Sequence, residues 1–235
     1  MAAIVLALGA SLSWGFADFF GPLKGRTLGV LRVLLWAELA GLLVIAAAVA
    51  VRWRGPHDAT VLLAIPAALS GTLGLFAYYR GMAVGAMSVV APIAGVSAAV
   101  PVAVGLALLA AIGFGGYFVP MHAAGAADFW WASLIFRATA LLLVVAAVAI
   151  TRPSVRVTLP DLAFVSAVGF GDLLGNVLFA ASAGHGLLSV TSVLASLYPI
   201  VTVALARVVL RERVDRGQQA GVVATLAGVA MISAG

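Results

Sequence analysis

Residues 187–235 decide the fold: they read LLSVTSVLASLYPIVTVALARVVL, then RERVDRGQQ, then AGVVATLAGVAMISAG. The first apolar run has the length of a helix that crosses a bilayer, and the last is nearly as long. Charged side chains are tolerated at the lipid–water interface and are costly at the bilayer centre, so the charged link between the runs belongs in water. We therefore predict a helical hairpin. Gly217, Gly221 and Gly228 share one face of its second helix, where small residues let another helix approach closely.

The composition of the whole chain points the same way. Of 235 residues, 64% are hydrophobic and 9% are charged, whereas soluble domains carry about 25% charged residues. We predict an all-α polytopic protein of the cell membrane (inner or plasma), with the lipid bilayer as its surroundings. The 13 Lys and Arg residues lie mostly between apolar runs, where they orient a protein in the membrane and do not indicate a nucleic-acid partner. The absence of cysteine excludes disulfides and thiol chemistry.

The apolar runs predict about nine transmembrane helices joined by short links. We place them at about 3–22, 28–51, 60–83, 87–108, 109–125, 130–150, 161–183, 187–209 and 217–234. No link is long enough to form a soluble domain, so the chain is one membrane domain.

Part of the deciding stretch, residues 196–229, resembles the end of a repeat in the EamA family of the drug/metabolite transporter superfamily. The features that match are Pro199, Glu212-Arg213, Gln218 or Gln219, Gly221 and Gly228-Val229. The resemblance implies ten helices, arranged as two related halves of five in inverted orientation, and a transport function.

A weak internal repeat supports two related halves, 1–109 and 110–235. Placing Ser88 on Ser189 without gaps also aligns Gly74 with Gly175. The first half has no counterpart of the closing hairpin helix, so the last helix of the first repeat is missing and the chain supplies four helices plus five. Nine helices would put the arginines at 52–54, 152–156 and 211–216 on one side of the membrane, in agreement with the positive-inside rule. The family architecture favours ten.

Polar residues inside the apolar runs are the candidate site, because ionisable groups at membrane depth are rare and usually functional. Asp172 lies mid-helix with Asn176 one turn further along, and Gly171 and Gly175 could let that helix unwind or let a substrate approach. The alternative is a protonated carboxyl that hydrogen-bonds between helices. Glu38 could couple transport to protons, pair with an arginine or reach the interface.

Further candidates lie in other helices. Trp14 and Asp18 share a face of the first helix, where they could also be an interfacial anchor and a group near water. Arg32 and Arg137 both come early in the second helix of their half, so either could hold an anionic substrate group or pair with a carboxylate.

Tyr198-Pro199 resembles a family element in which proline bends the helix and frees a backbone carbonyl. Tyr78 and Tyr79 read as an aromatic belt at the membrane surface. His122 and His185 lack a second ligand at metal spacing, so we predict neither a metal nor a cofactor.

The leading hypothesis for the function is a secondary transporter, not an enzyme, that moves small metabolites or drugs and exports them by alternating access. The sequence has no phosphate-binding GxxxxGK[ST] motif that would indicate ATP drive. One alternative is a degenerate, non-transporting membrane protein, for which a homodimer could cover the exposed fourth helix. A minor alternative is an intramembrane aspartyl protease of the GxGD type, with Asp172 in the motif and Asp18 as the second aspartate.

Overall fold

The computed structural model describes residues 1–84 and 101–211, with the backbone alone at 101–105 and 107–108. Within these ranges every regular element is a helix. The α-helices are α1 (Ala2–Leu28), α2 (Val30–Arg52), α3 (Ala64–Val84), α4 (Pro101–Thr151), α5 (Leu159–Ser182), α6 (Leu188–Ala195) and α7 (Tyr198–Val209), and a 3-10 helix, Ala59–Leu63, leads into α3. The predicted helix at 217–234, with Gly217, Gly221 and Gly228, lies outside the described residues, as does most of the one at 87–108.

Six stretches of the described residues are long and apolar enough to cross a membrane. Large apolar side chains cover their outer surface: Leu73 is 66% exposed, Ile112 71% and Leu142 69%. Soluble proteins rarely expose apolar surface so extensively, whereas lipid solvates it. The all-α, multi-pass membrane fold is therefore confirmed, while the count of nine helices is not.

Helix α4 is a helical hairpin, because its backbone leaves the helical region at Asp128, with φ −161° and ψ 105°. The rings of Tyr117 and Phe136 lie 5.4 Å apart, although a straight helix would separate these residues by about 28 Å. The two arms, 101–127 and 129–151, therefore fold back on each other. Asp128 caps the second arm, since its Oδ1 accepts hydrogen bonds from the backbone N–H groups of Trp130 (2.9 Å) and Trp131 (3.3 Å).

The helix boundary predicted between residues 108 and 109 is wrong. The first arm of α4 continues through this position without a break. Hydropathy could not place the boundary, because residues 104–113 read VGLALLAAIG and contain neither a charge nor a proline that would end a helix. The predicted division of the chain at 109/110 falls inside this arm, and it stays a prediction.

Contacts near the helix ends define two opposite ends of the bundle. At the Lys24 end, Lys24 pairs with Asp161 at 2.6 Å and Arg32 donates to the carbonyl of Ser154 at 2.6 Å. At the Arg52 end, Arg52 donates to both carboxylate oxygens of Asp128, at 2.9 and 3.0 Å. The arginines at 52–54 and 152–156 therefore lie at opposite ends. Of the two alternatives, the structure does not show the shared side that nine helices would give, because one helix crosses between residue 101 and the Asp128 turn, where the nine-helix reading places parts of two.

The helices after residue 101 run opposite to their counterparts in the first part of the chain. Helix α1 runs from the Arg52 end to the Lys24 end, whereas the first arm of α4 runs towards the Arg52 end. Helix α2 and the second arm of α4 are opposed in the same way, and so are α3 and α5. The most extensive packing joins α3 to α4 and α1 to α5. This is the antiparallel relation that inverted repeats require.

Small residues bring these helices close together. A Cβ atom at Gly113 would lie 2.5 Å from the Gly74 Cα and 2.8 Å from the Ser70 carbonyl oxygen. Backbone atoms cannot give way as a side chain can, so α3 and α4 meet only because both residues are glycines. A Cβ at Gly169 would likewise collide with the Ala37 carbonyl, where α5 crosses α2.

Candidate functional site

A cavity of about 50 Å³ lies in the centre of the bundle, where α1, α2, α3, both arms of α4, α5 and α7 converge. Its wall combines aromatic rings with three carboxyl groups and two other polar side chains. The wall residues are Trp14, Asp18, Glu38, Gly71, Thr72, Leu75, Phe114, Tyr117, Phe118, Phe136, Asp172, Asn176 and Tyr198. Six of the eight polar or aromatic residues predicted for binding or coupling thus meet at one place: Trp14, Asp18, Glu38, Asp172, Asn176 and Tyr198.

Arg137 is the centre of a buried ion-pair network beside this cavity. It is 0% exposed, and its two terminal nitrogens donate to Glu38 Oε2 and Asp172 Oδ2, both at 2.7 Å. The guanidinium thus connects α2, the second arm of α4 and α5. Of the alternatives for Glu38 and Arg137, the structure shows pairing between them, and neither side chain reaches the membrane surface.

The network continues along α5 towards the first arm of α4. Asn176 Nδ2 donates to the backbone carbonyl of Asp172 at 2.9 Å, and its Oδ1 accepts from the Tyr117 hydroxyl at 2.9 Å. Buried polar groups in such a chain hold one another in fixed orientations, because each lost hydrogen bond would leave an unsatisfied partner. The side of the cavity formed by α5 and α4 is therefore held rigidly.

Asp18 is the exception among the three carboxyl groups. It is 4% exposed, yet its Oδ1 has no hydrogen-bond partner within residues 1–84 and 101–211. The same is true of the neighbouring wall residue Thr72, whose Oγ1 is buried without a partner in those ranges. Buried polar groups are nearly always satisfied, so two such atoms facing one cavity indicate space for a polar ligand or water.

The aromatic part of the wall is built around Trp14. Its ring lies 5.8 Å from that of Tyr117, 6.3 Å from that of Phe118 and 6.3 Å from that of Tyr198, all edge to face. A Cβ at Gly175 would collide with the Trp14 indole, so this glycine lets the indole pack against α5. The sequence left open whether Trp14 anchors the protein at the membrane interface. In the structure Trp14 is buried and lines the cavity.

Three further predictions concern Arg32, the glycines of α5 and Pro199. Arg32 points away from the cavity, to the Ser154 carbonyl at the Lys24 end, so the structure gives it and Arg137 different surroundings. Helix α5 is continuous through Gly171 and Gly175, without the unwinding that these glycines would permit. Pro199 lies in the first turn of α7, after a break that separates α6 from α7. The substrate roles of all these residues stay predictions.

The expectation that Tyr78 and Tyr79 form a membrane-surface belt is wrong. They are 0% and 1% exposed, and the Tyr79 hydroxyl donates to the Ala17 carbonyl at 3.2 Å. A tyrosine near the end of an apolar run reads as an interfacial residue, but α1 covers this face of α3.

Several wall residues were not identified from the sequence. They are Thr72 of α3 and the rings of Phe114, Tyr117, Phe118 and Phe136 in α4. The spacing of residues 114, 117 and 118 places three rings on one helical face, and this pattern could have indicated an aromatic wall. Nothing in the sequence marked Thr72.

The geometry speaks against the aspartyl-protease alternative. Asp18 and Asp172 line the same cavity, but such proteases need two carboxyl groups that share a proton. Here Asp172 Oδ2 accepts a hydrogen bond from Arg137 at 2.7 Å, so this carboxyl group pairs with a guanidinium and not with a second carboxyl group.

The sequence comparisons bear on the family of the chain. The model of the EamA-like transporter family matches residues 101–234, which is more than half of the chain. The match covers all but the last residue of the predicted second half and begins at the first residue of α4. No curated protein matches the chain. A bundle of oppositely running membrane helices around a central polar cavity, together with this match, shows that the chain belongs to the EamA-like transporter family.

Proposed function

We propose that this protein is a secondary transporter that moves small metabolites or drugs across the cell membrane without ATP, as an exporter that works by alternating access. The observation that carries the proposal is the central cavity with its buried carboxyl groups. Transporters built from inverted repeats place their substrate site between the repeats near the middle of the membrane. The cavity of this chain lies between helices that run in opposite directions, at the same depth as Asp18, Glu38 and Asp172.

The polar groups around the cavity fall into two sets that fit this proposal: some are held by ion pairs, and others have no hydrogen-bond partner among the described residues. Arg137 joins α2 to α4 and α5 through Glu38 and Asp172. On the other side, Asp18 and Thr72 of α1 and α3 face the cavity without hydrogen bonds from the described residues. A substrate that satisfied these groups would add contacts between the two sides, and such differential contacts are what shift a conformational equilibrium.

The test is solute flux into liposomes that contain the purified protein, measured with panels of labelled amino acids and small drugs. We expect flux down a concentration gradient without ATP. Asp172→Asn should reduce it strongly, because Arg137 then loses one of its two carboxylate partners beside the cavity. Asp161→Asn is the matched control on the same helix, since Asp161 lies at the Lys24 end, away from the cavity.

Two results would count against the proposal. If no solute in either panel moves, the alternative of a non-transporting family member gains support. If Asp172→Asn and Asp161→Asn transport equally well, the cavity is not the transport site.

A further inference from the structure

The charges around the cavity do not balance. Asp18, Glu38 and Asp172 line its wall, and one guanidinium, that of Arg137, pairs with the last two at 2.7 Å each. Buried charges are costly unless they are paired. Three carboxyl groups and one guanidinium leave an excess of negative charge whenever the carboxyl groups are ionised.

Asp18 is the carboxyl group without compensation. It is nearly as buried as Glu38, at 4% against 2% exposure. Among the residues that the structure describes, it takes part in no ion pair, and its Oδ1 has no hydrogen-bond donor. A hydrogen-bond donor or a cation is therefore missing at this point of the wall.

The aromatic part of the wall is suited to a cation. Six aromatic rings face the cavity: Trp14, Phe114, Tyr117, Phe118, Phe136 and Tyr198. The faces of aromatic rings carry partial negative charge and attract cations, most strongly where water is excluded. Rings in this number, next to one uncompensated carboxylate, resemble the surroundings in which quaternary ammonium groups are recognised.

We propose that the cavity binds a small organic cation through its ammonium group, with the Asp18 carboxylate balancing the charge and the Trp14 side of the wall contacting the alkyl groups. The Thr72 hydroxyl, which has no partner among the described residues, would bind a polar substituent of the same ligand. The volume of about 50 Å³ restricts the occupant to a small head group. That this cation is also the transported substrate rests on the proposed function.

The experiment measures binding to the purified protein in detergent micelles, by titration calorimetry and by tryptophan fluorescence, to which Trp14 contributes. The probes are choline and its uncharged isostere, in which carbon replaces the quaternary nitrogen, so that the two differ in charge but hardly in shape. We expect choline to bind at least about ten-fold more tightly than the isostere. Asp18→Asn should remove this preference, Asp18→Glu should keep it, and the Asp161→Asn control should leave it unchanged.

Equal affinity of the wild-type protein for choline and the isostere would overturn the proposal. Displacement of choline by an equal concentration of sodium would also overturn it, because the site would then select an inorganic cation. If Asp18→Asn does not fold, as judged by circular dichroism, the comparison of the two probes on the wild-type protein and on Asp18→Glu still decides.

The binding and flux experiments test the cation site and the transport function separately. Choline binding without flux of any solute in liposomes would keep the cation site and refute the transporter. Flux of neutral or anionic solutes, with no preference for choline over its isostere, would refute the cation site and keep the transporter.

Discussion

Removing the charge of Arg137 should destabilise the protein more than any change at the helix ends. Arg137→Gln deletes two ion pairs of 2.7 Å, each of which amounts to about 6 kcal/mol of Coulomb energy at an effective dielectric constant of 20. The cost of burying the ions offsets most of this energy in the wild type. The variant leaves two buried carboxyl groups without a cation, and losing one partner of a buried pair costs about 3–5 kcal/mol.

The same reasoning predicts that neutralising all three residues restores stability. In a triple variant with Glu38→Gln, Arg137→Gln and Asp172→Asn, the Arg137 network contains no charge that could be left without its partner. Its free energy of unfolding should therefore return to within about 1–2 kcal/mol of the wild type. Lys24→Gln is the matched control, because its ion pair with Asp161 is equally short, at 2.6 Å, but partly exposed, so its loss should cost at most about 1 kcal/mol.

The assay is unfolding of the purified protein in mixed micelles of rising dodecyl sulfate content, followed by tryptophan fluorescence. Each variant gives a free energy of unfolding by linear extrapolation. The reasoning is refuted if Arg137→Gln is no less stable than Lys24→Gln. It is also refuted if the triple variant is as unstable as the single one, since the loss would then come from packing and not from uncompensated charge.

Two further predictions concern the packing and the ends of the bundle. Gly113→Ala should lower the free energy of unfolding by about 1–3 kcal/mol in the same assay, because its Cβ would meet backbone atoms of α3. Gly115→Ala is the control and should not lower it, because a Cβ at this position meets nothing within 4 Å. Equal losses in the two variants would contradict the close packing of α3 and α4. In this cysteine-free chain, Thr27→Cys and Ser154→Cys should react with a membrane-impermeant maleimide from the same side and Gly55→Cys from the other, and labelling of all three from one side would contradict the assignment of the ends.

The fold class and most of the polar residues at the cavity could be predicted from the sequence. Charge is costly in lipid, so charged residues stand out in an apolar run. A carboxyl group inside an apolar run, such as Asp172 or Glu38, is conspicuous in any membrane protein. Their convergence on one cavity is a finding of the structure. The pairing of Arg137 with both was one of several open alternatives, since one sequence does not fix which helix faces which.

The wrong helix boundary and the unrecognised wall residues depend on information that hydropathy does not contain. A run of alanine, leucine and glycine has no residue that marks a helix end, so the boundary at 108/109 was set by length alone. In the nine-helix reading this boundary reverses the side of every later loop, including the arginines at 152–156. Thr72 and Phe136 escaped notice because neither is unusual in its own helix, and only the arrangement of the bundle brings them to the cavity.

The pairing of helices across the two parts of the chain has a consequence for biosynthesis. Glu38 enters the membrane with α2, but its partner Arg137 follows 99 residues later. At a synthesis rate of about 5–20 residues per second, the carboxyl group waits roughly 5–20 s for its cation. In the same way, α1 is synthesised before α5, against which it packs, and α3 before α4. The early helices therefore remain an incomplete assembly in the bilayer, and the nascent chain during this interval is the form most exposed to membrane quality control.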